Sequence, residues 1–167
     1  RELTLCALKG LLGRTSGTPV TLVNAPGLAE ARGIAVTEHK SDQVRNYANL
    51  VTVSAETVGA GGETRECVVA GTCFDGQALR IVKINDFDID LQPAPLILLM
   101  FYPDRPGMVG KIGTILGEAN INIANMAVGR REKRGQAAVA LTLDDPAAPA
   151  VLQRIRDAVG TQELYAI

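Results

Sequence analysis

The sequence predicts an α+β protein built from two small domains, and three observations support this fold class. Several strand-like segments follow one another in the first half of the chain without helices between them, which favours an antiparallel sheet. Elements in the second half follow the order β-α-β-β-α-β. Between the halves, Pro93 and Pro95 indicate a stiff, extended connection. We therefore expect domains over residues 1–92 and 96–167, joined by a linker over residues 93–95.

The first domain is predicted to begin with two helices. Leucines near helical spacing indicate a helix over residues 1–14. A second helix is expected to start with Pro26 in its first turn and to end at Gly33. The predicted strands that follow cover residues 34–40, 50–58, 63–74, 79–84 and 87–91. The predicted turns between the later strands cover residues 59–62, 75–76 and 85–86. Alternation along the strand over 79–84 places Arg80 and Lys83 on opposite faces.

The second domain is predicted to be a ferredoxin-like unit. Its expected strands cover residues 96–102, 121–128, 137–143 and 163–167, and a charged hairpin is expected over residues 130–134. A helix is predicted over residues 107–119, where apolar side chains share one face. The last helix is expected to be capped by Asp145, with Pro146 in its first turn, and to end at Gly160.

Composition excludes several classes of function. The formal net charge is −1, whereas a dedicated nucleic-acid binder is usually basic. The longest apolar run, over residues 96–102, is too short to span a bilayer. A charged start without a signal peptide or initiator Met predicts a cytoplasmic piece of a longer protein.

Cysteine and histidine are too few and too poorly spaced for a metal site. The single His39 stands among charged residues, which is typical of the surface, and it cannot complete a catalytic triad. Cys6, Cys67 and Cys73 lack metal-ligand spacing, so reduced thiols are expected. We expect Cys67 and Cys73 to share one face of a strand and to pack in the core.

The segment most informative about function lies between the first strand and the first helix of the second domain. A helix start carries unpaired N–H groups that suit a ligand carboxylate, and Asp104 can accept hydrogen bonds from an ammonium group. Asn122, expected on the adjacent strand, suits a polar ligand side chain such as a hydroxyl. Together these groups match a free amino acid. The alternative is that Asp104 only caps the helix and that Pro106 and Gly107 only shape the turn.

These motifs resemble a known family. The segment from Tyr102 to Asn122 resembles an ACT domain, a small regulatory module that binds amino acids. Over residues 96–167, including the run Gly110–Thr114, the chain resembles the C-terminal ACT domain of D-3-phosphoglycerate dehydrogenases. Upstream, the runs Val23–Pro26 and Ile81–Asn85 resemble the intervening domain of long-form members.

The resemblance implies a regulatory function. The parent enzyme would oxidise D-3-phosphoglycerate with NAD, the first step of L-serine synthesis, and L-serine would inhibit it by binding between ACT domains of paired subunits. Tyr102, Asp104, Gly107 and Asn122 match the effector site. The catalytic and NAD-binding domains are expected to precede this chain, which would hold no catalytic residue and no cofactor of its own.

The resemblance also implies partners. A homodimer is expected, joined through opposed 96–102 strands or neighbouring helices, with Asp104 from one chain and Asn122 from the other at each site. A tetramer is expected for the parent enzyme. Arg80 and Lys83 are candidate anion contacts of the intervening domain, the alternative being ordinary solvated charges.

Other functions are also compatible with the sequence. The chain would also suit the regulatory region of another amino-acid enzyme, such as L-serine dehydratase, or a stand-alone amino-acid sensor. An RNA-binding domain of the same topology would stack bases on aromatic residues, and the strand over 137–143 has none. Finally, Gly110, Gly113 and Gly117 form a stripe on one helix face. We expect another surface, from the first domain or a partner subunit, to pack closely there.

Overall fold

The computed structural model describes residues 2–42, 46–58, 62–132 and 135–167. Packing divides the chain into two units, one up to residue 45 and one from residue 46 onward. The helices are α1 Glu2–Gly13, α2 Ala25–Ala31, α3 Met108–Glu118 and α4 Pro149–Val159. The strands are β1 Val51–Val58, β2 Thr64–Phe74, β3 Ala78–Ile84, β4 Phe87–Leu91, β5 Ile97–Pro103, β6 Ile123–Arg130, β7 Gln136–Leu143 and β8 Leu164–Ala166.

The first unit is a pair of helices. Leu8 and Leu12 of α1 pack against Ala25 and Ala29 of α2. Pro26 lies in the first turn of α2, and Gly33, with a φ of +67°, follows its end as predicted. The strand predicted over residues 34–40 is wrong, because this segment is irregular. Ile34 packs against the core of the helix pair instead of pairing with a strand, so tertiary context overrides β-propensity there.

The first sheet has the antiparallel order β1-β2-β3-β4, which confirms the predicted run of strands. Most of the predicted turn over 59–62 lies outside the described residues. The opposite-face prediction for Arg80 and Lys83 is wrong. Arg80 pairs with Thr72 and Lys83 pairs with Ala70, two residues apart on β2, so both side chains project from one face. The register shift between residues 81 and 83 interrupts the alternation there.

The second sheet has the antiparallel order β6-β7-β5-β8, with α3 and α4 packed on one face. This confirms the β-α-β-β-α-β prediction. The predicted start of α4 is wrong, because the helix begins at Pro149 and Ala148 occupies the N-cap position. Pro149 fits the preference of proline for the first turn as well as Pro146 does. Gly160, with a φ of +71°, ends α4 as predicted.

The helix-side core gathers side chains from all the elements of this second half. Its most deeply buried large side chains are those of Leu98, Met100, Tyr102, Ile112, Leu116, Val139, Leu141 and Ile155. The buried Thr161 hydroxyl donates a hydrogen bond to the carbonyl of Phe101 and so ties the end of α4 to β5. The loop that follows β5 is therefore held on a rigid support.

The opposite face of the second sheet is covered by the first sheet. Phe87, Ile89 and Leu91 of β4 pack with Leu99 and Phe101 of β5. Three alanines of β6 and β7 complete this cluster: Ala127, Ala138 and Ala140. The two sheets thus share one core within residues 46–167. The domain boundaries predicted at 1–92, 93–95 and 96–167 stay a prediction.

β5 is an interior strand, which corrects one expectation. It pairs with β7 on one side and with β8 on the other. Opposed 96–102 strands therefore cannot join two chains, since neither edge of β5 is free. Within the described residues, the edges of this sheet are β6 and β8. None of the described helices is long and apolar enough to cross a membrane.

Candidate functional site

The loop between β5 and α3 forms the centre of the site. Gly107 occupies the N-cap position of α3 with a φ of +87°, a conformation that glycine adopts without strain. No side chain caps this helix in the described residues. The alternative that Asp104 serves only as the helix cap is therefore wrong. The Met108 N–H donates to the Arg105 carbonyl at 3.4 Å. The next two N–H groups of the first turn, those of Val109 and Gly110, have no acceptor among the described residues and are available to a ligand.

Asp104 is held in a defined position beside this helix start. Its backbone N–H donates to the carbonyl of Gly135 at 2.8 Å. Its carboxylate Oδ2 lies 3.3 Å from Nη1 of Arg130, and the Asp104 side chain is only 21% exposed. The site therefore contains a fixed, largely shielded carboxylate with a cation as its partner.

Sequence reasoning missed Arg130, which it assigned only to a charged hairpin. β5 and β6 run in the same direction, because each is antiparallel to β7 between them. Tyr102 and Arg130 pair with the same residue of β7, Ala137, from opposite sides. The pattern of residues shows only that both strands end in polar groups. Finding the Asp104–Arg130 contact required the strand order.

Tyr102 lies at the end of β5, and its side chain is almost fully buried in the helix-side core. No hydrogen bond of its hydroxyl is found in the part of the chain that the structure describes. Burial raises the pKa of the Tyr102 hydroxyl above its ordinary value of 10, and the negative charge of Asp104 raises it further. This hydroxyl is therefore a neutral group with an unused donor next to Asp104.

Asn122 lies elsewhere, at the opposite end of β6. Ile123 pairs with Leu143, whereas Arg130 pairs with Ala137. Seven residues of strand separate these two ends by roughly 20 Å. The expectation that Asn122 lies on the strand adjacent to β5 is wrong, because β7 lies between β5 and β6. Within one chain the structure brings Tyr102, Asp104 and Gly107 together and leaves Asn122 apart.

The Asn122 side chain has a defined orientation of its own. Its Nδ2 donates to Oδ2 of Asp144 at 2.7 Å, and the backbone carbonyl of Asn122 accepts from the Asp144 N–H at 3.2 Å. With the amide nitrogen bound to a carboxylate, the amide oxygen is the group presented to a ligand.

The edge of β6 between these two ends exposes apolar side chains. Met126 and Val128 are 41% and 45% exposed, and Val109 on α3 is 39% exposed. An eight-residue edge strand with exposed apolar side chains is a typical pairing surface. The other edge strand, β8, has only three residues.

The candidate anion contacts on β3 both face carboxylates. Nε of Arg80 lies 3.2 Å from Oδ1 of Asp90, and Lys83 pairs across the sheet with Asp88. An anion at this face would have to compete with both acidic side chains. The anion site stays a prediction.

The glycine stripe on α3 faces open space within residues 46–167. A Cβ added at Gly110, Gly113 or Gly117 would meet no described atom of this unit within 4 Å. The expectation of close packing there stays a prediction.

No group of three or more metal-ligating side chains occurs among the described residues. The core role expected for Cys67 is wrong, because this thiol is exposed.

The second half of the chain is thus a four-stranded antiparallel sheet with two helices on one face and a polar site at a helix start. This arrangement is that of an ACT domain, and residues 96–160 match the ACT domain family. Residues 1–85 match the D-3-phosphoglycerate dehydrogenase intervening domain family. The chain belongs to the D-3-phosphoglycerate dehydrogenase intervening domain family and carries an ACT domain after it.

Curated relatives support the same assignment. The chain is 36% identical over 167 residues to the D-3-phosphoglycerate dehydrogenase of Synechocystis sp., covering 100% of this chain and 29% of that protein. It is 36% identical over 154 residues to the Archaeoglobus fulgidus enzyme, covering 91% of this chain and 28% of that protein. It is 28% identical over 160 residues to the Methanocaldococcus jannaschii enzyme, covering 96% of this chain and 29% of that protein. The chain therefore spans less than a third of the length of these relatives.

Proposed function

We propose that this chain is the regulatory region of an NAD-dependent D-3-phosphoglycerate dehydrogenase and that it binds L-serine as a feedback inhibitor. The observation that carries the proposal is the loop between β5 and α3. It combines a shielded carboxylate at Asp104 with a helix start that no described side chain caps and a Tyr102 hydroxyl that has no hydrogen-bond partner among the described residues. The parent enzyme would catalyse the first step of L-serine synthesis in the cytoplasm.

The geometry suits both charges of a free amino acid. The ligand carboxylate would accept hydrogen bonds from the first N–H groups of α3, where the helix dipole favours negative charge. Gly107 keeps this approach free of a side chain. The ligand ammonium would donate to Asp104, which lies in the same loop. Tyr102 would donate its hydroxyl hydrogen to the bound ligand.

The fourth effector residue, Asn122, would come from a second chain. Antiparallel pairing of two β6 edges about Met126 would set Asn122 of one chain beside Arg130 of the other. Such a dimer would bury the exposed Met126 and Val128 side chains. The amide oxygen of Asn122, left available by the bond to Asp144, would accept the serine hydroxyl. A dimer of this kind within a tetrameric parent enzyme is our proposal for the assembly.

NAD would be bound by the parts of the parent enzyme outside this chain. A nucleotide-binding unit needs adjacent parallel strands joined by a helix. All strand pairs in the described residues are antiparallel, so these residues do not fit the cofactor. The regulatory region of L-serine dehydratase and a stand-alone sensor remain alternatives. The dehydrogenase names of the relatives favour the first proposal.

Calorimetric titration of the chain with L-serine tests the proposal. We expect stereospecific binding, with D-serine and L-alanine much weaker, and loss of binding in Asp104→Ala. Asp86→Ala is the matched control, because Asp86 is also paired with an arginine, Arg131, at 3.2 Å. Absence of L-serine binding by a chain shown to be dimeric would contradict the proposal.

A further inference from the structure

The site contains its own pair of opposite charges. Oδ2 of Asp104 and Nη1 of Arg130 lie 3.3 Å apart, and the two residues come from different elements, the loop after β5 and the end of β6. Asp104 is mostly shielded from solvent, whereas the Arg130 side chain is 58% exposed. Arg130 can therefore swing away into solvent more readily than Asp104 can.

We infer that Arg130 restricts the site to zwitterionic ligands that carry an ammonium and a carboxylate on the same carbon. This inference rests on the proposed function and names a further residue that contacts the ligand. An amino acid would exchange the internal ion pair for two new ones. Its ammonium would take the place of the guanidinium at Asp104, and its carboxylate would accept from Arg130 as well as from the α3 N–H groups.

The dimensions favour this exchange. In an α-amino acid the nitrogen and the nearer carboxylate oxygen are roughly 3 Å apart. A ligand whose ammonium contacts the Asp104 oxygen therefore holds its carboxylate close to the place that the Arg130 nitrogen leaves, 3.3 Å from that oxygen. The exposed Arg130 side chain can therefore move outward from Asp104 and meet the ligand carboxylate there, so that both new ion pairs form.

A ligand with a single charge gains less. An amine would displace Arg130 from Asp104 without supplying a carboxylate for the guanidinium. It would also add a like charge beside that guanidinium. A carboxylate would draw Arg130 away and leave the shielded Asp104 carboxylate without its cation. The hydroxyl of Tyr102 could donate one hydrogen bond to Asp104, but it supplies no positive charge. Both kinds of ligand therefore break an ion pair that they cannot replace.

The test compares three probes by calorimetric titration: L-serine, ethanolamine (serine without its carboxylate) and 3-hydroxypropionate (serine without its amine). We expect the unmodified chain to bind L-serine and neither of the other two. In Arg130→Gln, L-serine should bind about tenfold more weakly. Ethanolamine should become a measurable ligand in this variant, because Asp104 then has no competing cation.

Arg131→Gln is the matched control. Arg131 is the next residue, its side chain is also 58% exposed, and it pairs with Asp86 outside the site. This variant should keep the affinity and the selectivity of the unmodified chain. Arg130→Lys keeps the charge and should retain most of the selectivity. If Arg130 had only a structural role, Arg130→Gln would bind L-serine more weakly and would still not bind ethanolamine.

Two results would overturn the inference while leaving the proposed function intact. One is binding of ethanolamine by the unmodified chain at an affinity close to that of L-serine. The other is normal L-serine affinity and selectivity in Arg130→Gln. Failure of the unmodified dimer to bind L-serine or glycine would overturn the proposed function and this inference together. Binding of glycine but not L-serine would change only the identity of the effector.

Discussion

Substitution of Gly129 by alanine should separate the two sheets of residues 46–167. A Cβ at this position of β6 would lie 2.5 Å from the carbonyl oxygen of Asp88 and 3.1 Å from Cβ of Phe87, both in β4. Neither atom can move by side-chain rotation, so β4 must shift by roughly 1 Å. Overpacking of this kind costs about 1–3 kcal/mol. For a chain of this size the melting temperature should fall by roughly 2–12 °C.

Thermal and urea unfolding followed by circular dichroism would measure this loss. Gly117→Ala on α3 is the matched control, because an added Cβ there meets no described atom of residues 46–167 within 4 Å. Alanine in a helix interior is more favourable than glycine by about 0.5–1 kcal/mol, so this variant should be slightly stabilised. Equal stability of Gly129→Ala and the unmodified chain would refute the close approach of β4 to β6.

Two further predictions concern the site. The pKa of Tyr102 is raised in the folded chain, so folding favours its neutral form. This contribution to stability should be complete below pH 10 and should be lost as the pH rises through the folded pKa. Urea unfolding at increasing pH should show the loss, and Tyr102→Phe should remove it while the exposed Tyr165→Phe does not. Separately, Asp144→Ala should weaken L-serine binding about fivefold, because the Asn122 amide loses the carboxylate that orients it. Asp145→Ala, which removes a neighbouring charge, should leave calorimetric affinity unchanged.

The sequence predicted the arrangement of elements better than the contacts between them. The β-α-β-β-α-β order followed from apolar periodicity and from glycines such as Gly160, because these signals are local. The strand expected over residues 34–40 failed because Ile34 packs against the helix pair instead of joining a sheet. The alternation along β3 failed at a bulge, which depends on the partner strands.

The candidate site was predictable only in part for the same reason. Asp104 and Gly107 lie in one short loop, so their closeness in the sequence already predicts their proximity in the structure. Arg130 joins them through the strand order of the sheet, and no spacing in the sequence reveals that order. Asn122 lies at the far end of β6, so a single chain cannot bring it to Asp104. These two residues therefore depend on tertiary and quaternary structure.

The central claim is that each site takes Asp104 from one chain and Asn122 from another. Mixing Asp104→Ala and Asn122→Ala variants, after exchange of subunits, tests it most directly. Each variant alone should bind no L-serine, because both of its sites lack one residue. Random mixing should restore about a quarter of the unmodified sites, since half of the dimers then contain one intact site. Calorimetric stoichiometry measures this fraction. If the mixture binds no more L-serine than the separate variants, the site is not shared between chains.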